Sequence, residues 1–81
     1  MPVIFRHDGF RFFFFSNAGD PMEPLHVRVQ KGEMQAKIWL YPTPSIAESY
    51  GMNSAELKAV VLVAQSRKDE IERFWHEHFT I

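Results

Sequence analysis

Residues 26–40 read HVRVQKGEMQAKIWL, and this stretch decides the fold. His26-Val27-Arg28-Val29-Gln30 alternates with a period of two, Lys31-Gly32-Glu33 turns the chain, and Gln35-Ala36-Lys37-Ile38-Trp39-Leu40 alternates again. Successive side chains of a strand point to opposite faces, so the pattern predicts a β-hairpin rather than a helix. Val27, Val29, Ala36, Ile38 and Leu40 then share a core face, and His26, Arg28, Gln30, Lys37 and Trp39 share the other.

Toward the N-terminus, Val3 to Arg6 forms a short strand and Phe10 to Ser16 the return strand. Asp8-Gly9 between them is a tight-hairpin signal, because a type I′ turn requires positive φ at both central residues. Phe10 to Ser16 is apolar almost throughout, with Arg11 its one charge, which predicts cover on both faces. Asn17 to Pro24 holds two prolines and a glycine and reads as loop.

Toward the C-terminus, Tyr41-Pro42-Thr43-Pro44 ends the sheet. Ser45 with Glu48 has the spacing of a capping box, which predicts a short helix over Ile46 to Tyr50, stopped by Gly51. Asn53 with Glu56 repeats that spacing and opens a long helix with the apolar stripe Leu57, Val60, Val61, Ala64, Ile71, Trp75 and Phe79. At ~1.5 Å per residue, Ser54 to His78 would run nearly 40 Å, longer than the sheet is wide, so its end is expected to project toward a partner. The expected class is α+β, with a four-stranded antiparallel sheet of two hairpins, a short helix and one long amphipathic helix. Residues 1–81 form one domain, the sheet over 2–41 and the helices over 45–79.

Composition narrows the function classes. The chain has no cysteine, so neither a disulfide nor a thiolate is available. Nine Lys and Arg against ten Asp and Glu leave a net charge of −1, so nucleic-acid binding would need a local basic face. The N-terminal MPVIFRHDGF lacks the basic-then-apolar layout of a signal peptide, and no run approaches the ~18 apolar residues of a membrane span. The expected location is cytoplasmic, without membrane association. With 46% hydrophobic and 15% aromatic residues, some aromatic surface is expected to meet a partner.

Three groupings offer chemistry. His26, Arg28, Lys37 and Trp39 combine cations, an imidazole and an aromatic plate on one sheet face, a set suited to binding a phosphate backbone and stacking a base. The same His26, Arg28 and Lys37 are the candidate catalytic residues of an RNA-cleaving site, as acid–base and charge-stabilising groups. The ordinary solvated face of an amphipathic hairpin explains the set more simply, because antiparallel sheets commonly keep one wet face. His76 and His78 flank Glu77, but i and i+2 on a helix point ~200° apart, so they are read as cations at a helix C-terminus rather than metal ligands. Ala47, Gly51 and Leu57 have the offsets of a helix-turn-helix, which predicts a structural corner over 46–66, with DNA binding the alternative. No phosphate loop or cofactor fingerprint is present, so no cofactor is expected.

Taken in order, MPVIFRHDGFRFFFFSN, EPLHVRV, AKIWL, SIAESYGMNSAEL and ERFWHEHF resemble the bacterial domain of unknown function family 4160 over nearly the whole chain. Its members usually carry Pro-His-Val-His-Val; here Leu25 replaces the proline and Arg28 the second histidine, which weakens any mechanism that needs both imidazoles. The resemblance implies a neighbouring gene encoding a second small protein, in pairs proposed as toxin–antitoxin-like modules, with some members labelled transcriptional regulators. On that basis the chain is expected to be the interaction component, and the toxin-like half, of a two-gene module. Trp75, His78 and Phe79 are the expected partner contacts. RNA binding or cleavage and DNA-binding regulation are the alternatives, and homo-oligomerisation stays open.

Overall fold

The computed structural model describes residues 3–14 and 24–79. Within them lie five strands, β1 (Val3–His7), β2 (Phe10–Phe13), β3 (His26–Lys31), β4 (Met34–Trp39) and β5 (Ser45–Tyr50), followed by helices α1 (Ser54–Ser66) and α2 (Lys68–Phe79). The strands form one antiparallel sheet in the order β1-β2-β3-β4-β5, so each strand pairs with its sequence neighbour. The α+β class is as expected, but the sheet has five strands rather than four and the C-terminal helix is broken.

The first turn forms as the sequence implies: Asp8 has φ 51° and Gly9 φ 82°, the two positive values that a type I′ turn demands. Lys31 locks it from β3, with its Nζ 3.2 Å from the Asp8 carbonyl oxygen and 5.3 Å from the centre of the Phe10 ring. The expected end of the second strand at Phe15 and Ser16, and most of the loop over 17–24, lie outside the described residues.

Residues 45–50, expected to be helical, form β5. A helix of five residues cannot recover its nucleation cost, whereas the free edge of β4 offers a ladder already in place. Ser45 pairs with Trp39, Glu48 with Lys37 and Tyr50 with Gln35. Gly51, at φ 73°, ends the strand with the same left-handed geometry that would have ended a helix. No helix-turn-helix therefore exists here; the corner joins a strand to a helix. Both edge strands also shift register, β1 between Val3 and Phe5 and β5 opposite Lys37 and Ile38, and such bulges blunt an exposed sheet edge.

The Asn53 capping box closes as expected: Asn53 Oδ1 accepts from the Glu56 amide at 2.8 Å, and Glu56 Oε1 accepts from the Asn53 amide at 3.0 Å. The long helix does not run through. Arg67 leaves helical geometry at φ −114°, ψ 25°, and the Ser66 hydroxyl donates back to the Val63 carbonyl at 3.0 Å, a contact that favours bending. Arg67 fills the gap in the apolar stripe between Ala64 and Ile71. Its guanidinium lies 3.7 Å from the centre of the Phe5 ring and bonds both carboxylate oxygens of Glu70.

The break brings both helices onto one face of the sheet. Phe12, Phe14, Val27, Ile38 and Leu40 of that inner side, and Ala64 and Ile71 of the helices, are all 0% exposed and belong to one cluster. Trp75 joins them edge-on to Phe14 at 4.9 Å, so it belongs to the core and not to a projecting end. A buried side chain of this size contributes about 1.5–3 kcal/mol from apolar burial. No helix among the described residues is long and apolar enough to cross a membrane.

Candidate functional site

With the inner face closed, the register assigns the outer one. Two cross-strand rows run over it. The first is Arg6, Arg11, Gln30, Gln35 and Tyr50; the second is Phe13, Arg28, Lys37 and Glu48. His26 faces Trp39 in a third row. Among the described residues, the first two rows carry four cations, Arg6, Arg11, Arg28 and Lys37, and the carboxylate of Glu48, in a chain whose net charge is −1. Their strands hold these charges side by side at the ~4.8 Å strand spacing, an arrangement of like charges that the fold itself does not need.

Local contacts orient the cations. Arg11 donates to the Gln30 side-chain oxygen, and its guanidinium lies 4.7 Å from the centre of the Phe13 ring, which is 4% exposed. Arg28 Nη1 is 3.5 Å from Glu48 Oε1; with Glu48 at 64% side-chain exposure, this pair is worth no more than ~1 kcal/mol. Lys37 Nζ sits 4.5 Å from the centre of the Trp39 ring, a cation held against an aromatic face. Between the β3–β4 and β4–β5 ladders opens a shallow cavity of about 110 Å3, lined by Arg28, Gln35, Ala36, Glu48, Ser49 and Tyr50. Tyr50 is 70% exposed at its rim.

Arg28, Lys37 and Trp39 therefore come together as the alternation implies, but His26 does not join them in solvent. It is 2% exposed, with its ring 5.5 Å from that of Trp39 and 5.4 Å from that of Trp75. Its Nδ1 lies 3.0 Å from the Pro24 carbonyl oxygen; a carbonyl only accepts, so Nδ1 carries a hydrogen. The register pairs His26 with Trp39, but Trp75 of α2 packs against the His26 ring as well. The imidazole is buried and does not present itself to a ligand on the outer face. The outer face thus gathers guanidinium, ammonium and aromatic groups and leaves the imidazole buried.

The expected partner contacts divide. Trp75 is in the core, His78 is exposed in the last turn of α2, and the side chain of Phe79 lies outside the described residues. Among the described residues no group of three or more His, Cys, Asp or Glu could hold a metal ion. Sequence reasoning missed Arg6, Arg11, Gln35, Glu48 and Tyr50. A lone arginine in an otherwise apolar strand was the available signal for Arg11, whereas Glu48 and Tyr50 were hidden by the helical reading of β5.

Just past the end of β4, the Tyr41 hydroxyl donates to Glu72 Oε2, and Lys68 Nζ lies 4.0 Å from the centre of the Tyr41 ring. The hydrogen bond to Glu72, helped by desolvation and by the charges of Glu72 and Asp69, raises the phenol above its ordinary pKa of 10.0. This contact ties α2 to the β4–β5 connection and takes no part in the outer face.

No curated protein and no solved structure matches the chain. One family does, over residues 9–76, a span that includes β2 to β5, α1 and most of α2, and so the whole outer face except Arg6. The chain belongs to that family, the domain of unknown function DUF4160.

Proposed function

We propose that this protein works by binding, as the interaction component and toxin-like half of a two-gene toxin–antitoxin-like module, and that the outer face of its sheet is the working surface. The observation that carries this reading is the concentration of Arg6, Arg11, Arg28 and Lys37 on one face of a chain with net charge −1. Such a face attracts an acidic surface and steers its approach. Burial of His26 favours binding over RNA cleavage, because the face then lacks an exposed imidazole to move a proton. The strand at 45–50 leaves the DNA-regulator reading without its helix-turn-helix.

Co-expression with the product of the neighbouring gene, followed by size-exclusion chromatography, tests the proposal. The two proteins are expected to elute together, and the double change Arg28→Glu and Lys37→Glu to separate them. Independent elution of the unmodified pair would remove the reading.

A further inference from the structure

The outer face is patterned as well as charged. Along β4, Trp39, Lys37 and Gln35 point the same way, two residues apart, and Gln35 faces Tyr50 across the ladder to β5. Two residues of strand advance ~7 Å, so the Trp39 ring, the Arg28–Lys37 pair and the row that ends on the Tyr50 ring follow one another in steps of that size. Arg28 lies beside Lys37 in the middle row, and the 110 Å3 cavity joins Arg28 to Tyr50. An acidic protein surface requires only the positive charge. Alternating rings and cations instead match a chain that alternates planar bases with phosphates.

Resting on the reading of this face as the working surface, we infer that its ligand is single-stranded nucleic acid. Phosphates lie on Arg28 and Lys37, one base stacks on Tyr50 and a second on Trp39. Duplex is excluded by shape, because the major groove of B-DNA admits a helix or a two-stranded ribbon and not a five-stranded sheet backed by two helices. Unpaired bases splayed over a sheet are the geometry in which aromatic stacking serves recognition. Lys37 already occupies the ring face of Trp39 at 4.5 Å; when a base takes that place, the ammonium moves toward the flanking phosphate. Glu48, which holds Arg28 at 3.5 Å, is 64% exposed and free to swing away as a phosphate displaces it.

Fluorescence anisotropy with a labelled 12-nucleotide RNA, the matching single-stranded DNA, a 12-base-pair duplex and a poly-glutamate peptide tests the inference. Both single strands are expected to bind more tightly than duplex or peptide, and a gap between them reports whether the sugar is read. The logarithm of the binding constant should fall with log salt at a slope of roughly −1.4, about −0.7 for each of two phosphates, and Lys37→Ala should reduce that slope by about one phosphate. Tyr50→Ala should weaken binding roughly 5- to 100-fold, the usual yield of one stacked base. Tyr50 is exposed, so this variant folds, and unchanged circular dichroism checks it. Peptide binding as tight as RNA binding, or a Tyr50→Ala variant that binds RNA as well as the parent, overturns the nucleic-acid inference while leaving the binding face in place. Loss of partner co-elution in the double-glutamate variant reports on that face independently.

Discussion

The two faces of this sheet are built from the same strands and answer to different constraints. On the inner face Phe12, Phe14, Val27, Ile38 and Leu40 meet Ala64, Ile71 and Trp75 in one apolar cluster. On the outer face Arg6, Arg11, Arg28 and Lys37 are gathered although folding gains nothing from placing like charges together. The inner face accounts for the structure, and the composition of the outer face calls for a functional explanation. Substitutions on the two sides should therefore separate stability from binding.

The largest effect is expected on the inner side. Ile71→Ala removes a side chain that is 0% exposed and should cost about 2–5 kcal/mol in urea unfolding, a large part of the total for a domain of this size. His26→Ala is the sharper test, because His26 has outer-face parity and inner-face burial. Its loss leaves a cavity between two indoles and the Pro24 carbonyl without its donor, for an expected cost of about 2 kcal/mol. A cost below ~0.5 kcal/mol would return His26 to the solvated face and reopen its catalytic candidacy. Tyr50→Ala, on the outer side, should change stability by no more than ~0.5 kcal/mol while weakening binding.

The smallest effect concerns Tyr41. Its phenol titrates higher in the folded chain than the ordinary 10.0, so between 10.0 and that raised value the unfolded chain has lost a proton that the folded chain keeps. The contribution is fully present below pH 10 and is lost as pH rises through the folded value. Thermal unfolding from pH 9 to pH 11 should show a steeper alkaline loss for the parent than for Tyr41→Phe. Parallel curves would contradict the hydrogen bond to Glu72.

What the sequence discloses depends on how local each determinant is. The hairpin over 26–40 and the Asp8-Gly9 turn were legible because alternation and turn chemistry act over a few residues. The strand at 45–50 was not, because Ser45, Glu48 and Gly51 suit a capped helix as well, and what decides is the free edge of β4. The helix break was concealed by its spacing. Ala64 and Ile71 are seven residues apart, close to two full turns, and the contact that holds Arg67 comes from Phe5 at the other end of the chain. The site was legible in part for the same reason. Arg28, Lys37 and Trp39 follow from parity within one hairpin, whereas Arg6, Arg11 and Tyr50 reach that face only through strand pairings that no local pattern specifies.

The central claim is that the outer face, and neither helix, is the binding surface. Amide chemical-shift mapping of the isotope-labelled chain, with the co-expressed neighbouring gene product added, tests it most directly. The account predicts perturbations clustered in β3, β4 and β5 around Arg28, Lys37 and Tyr50, with the amides around Lys58 and Leu62 on the exposed side of α1 unmoved. Perturbations centred on α1 or on the last turn of α2, with β3 to β5 unchanged, would contradict it.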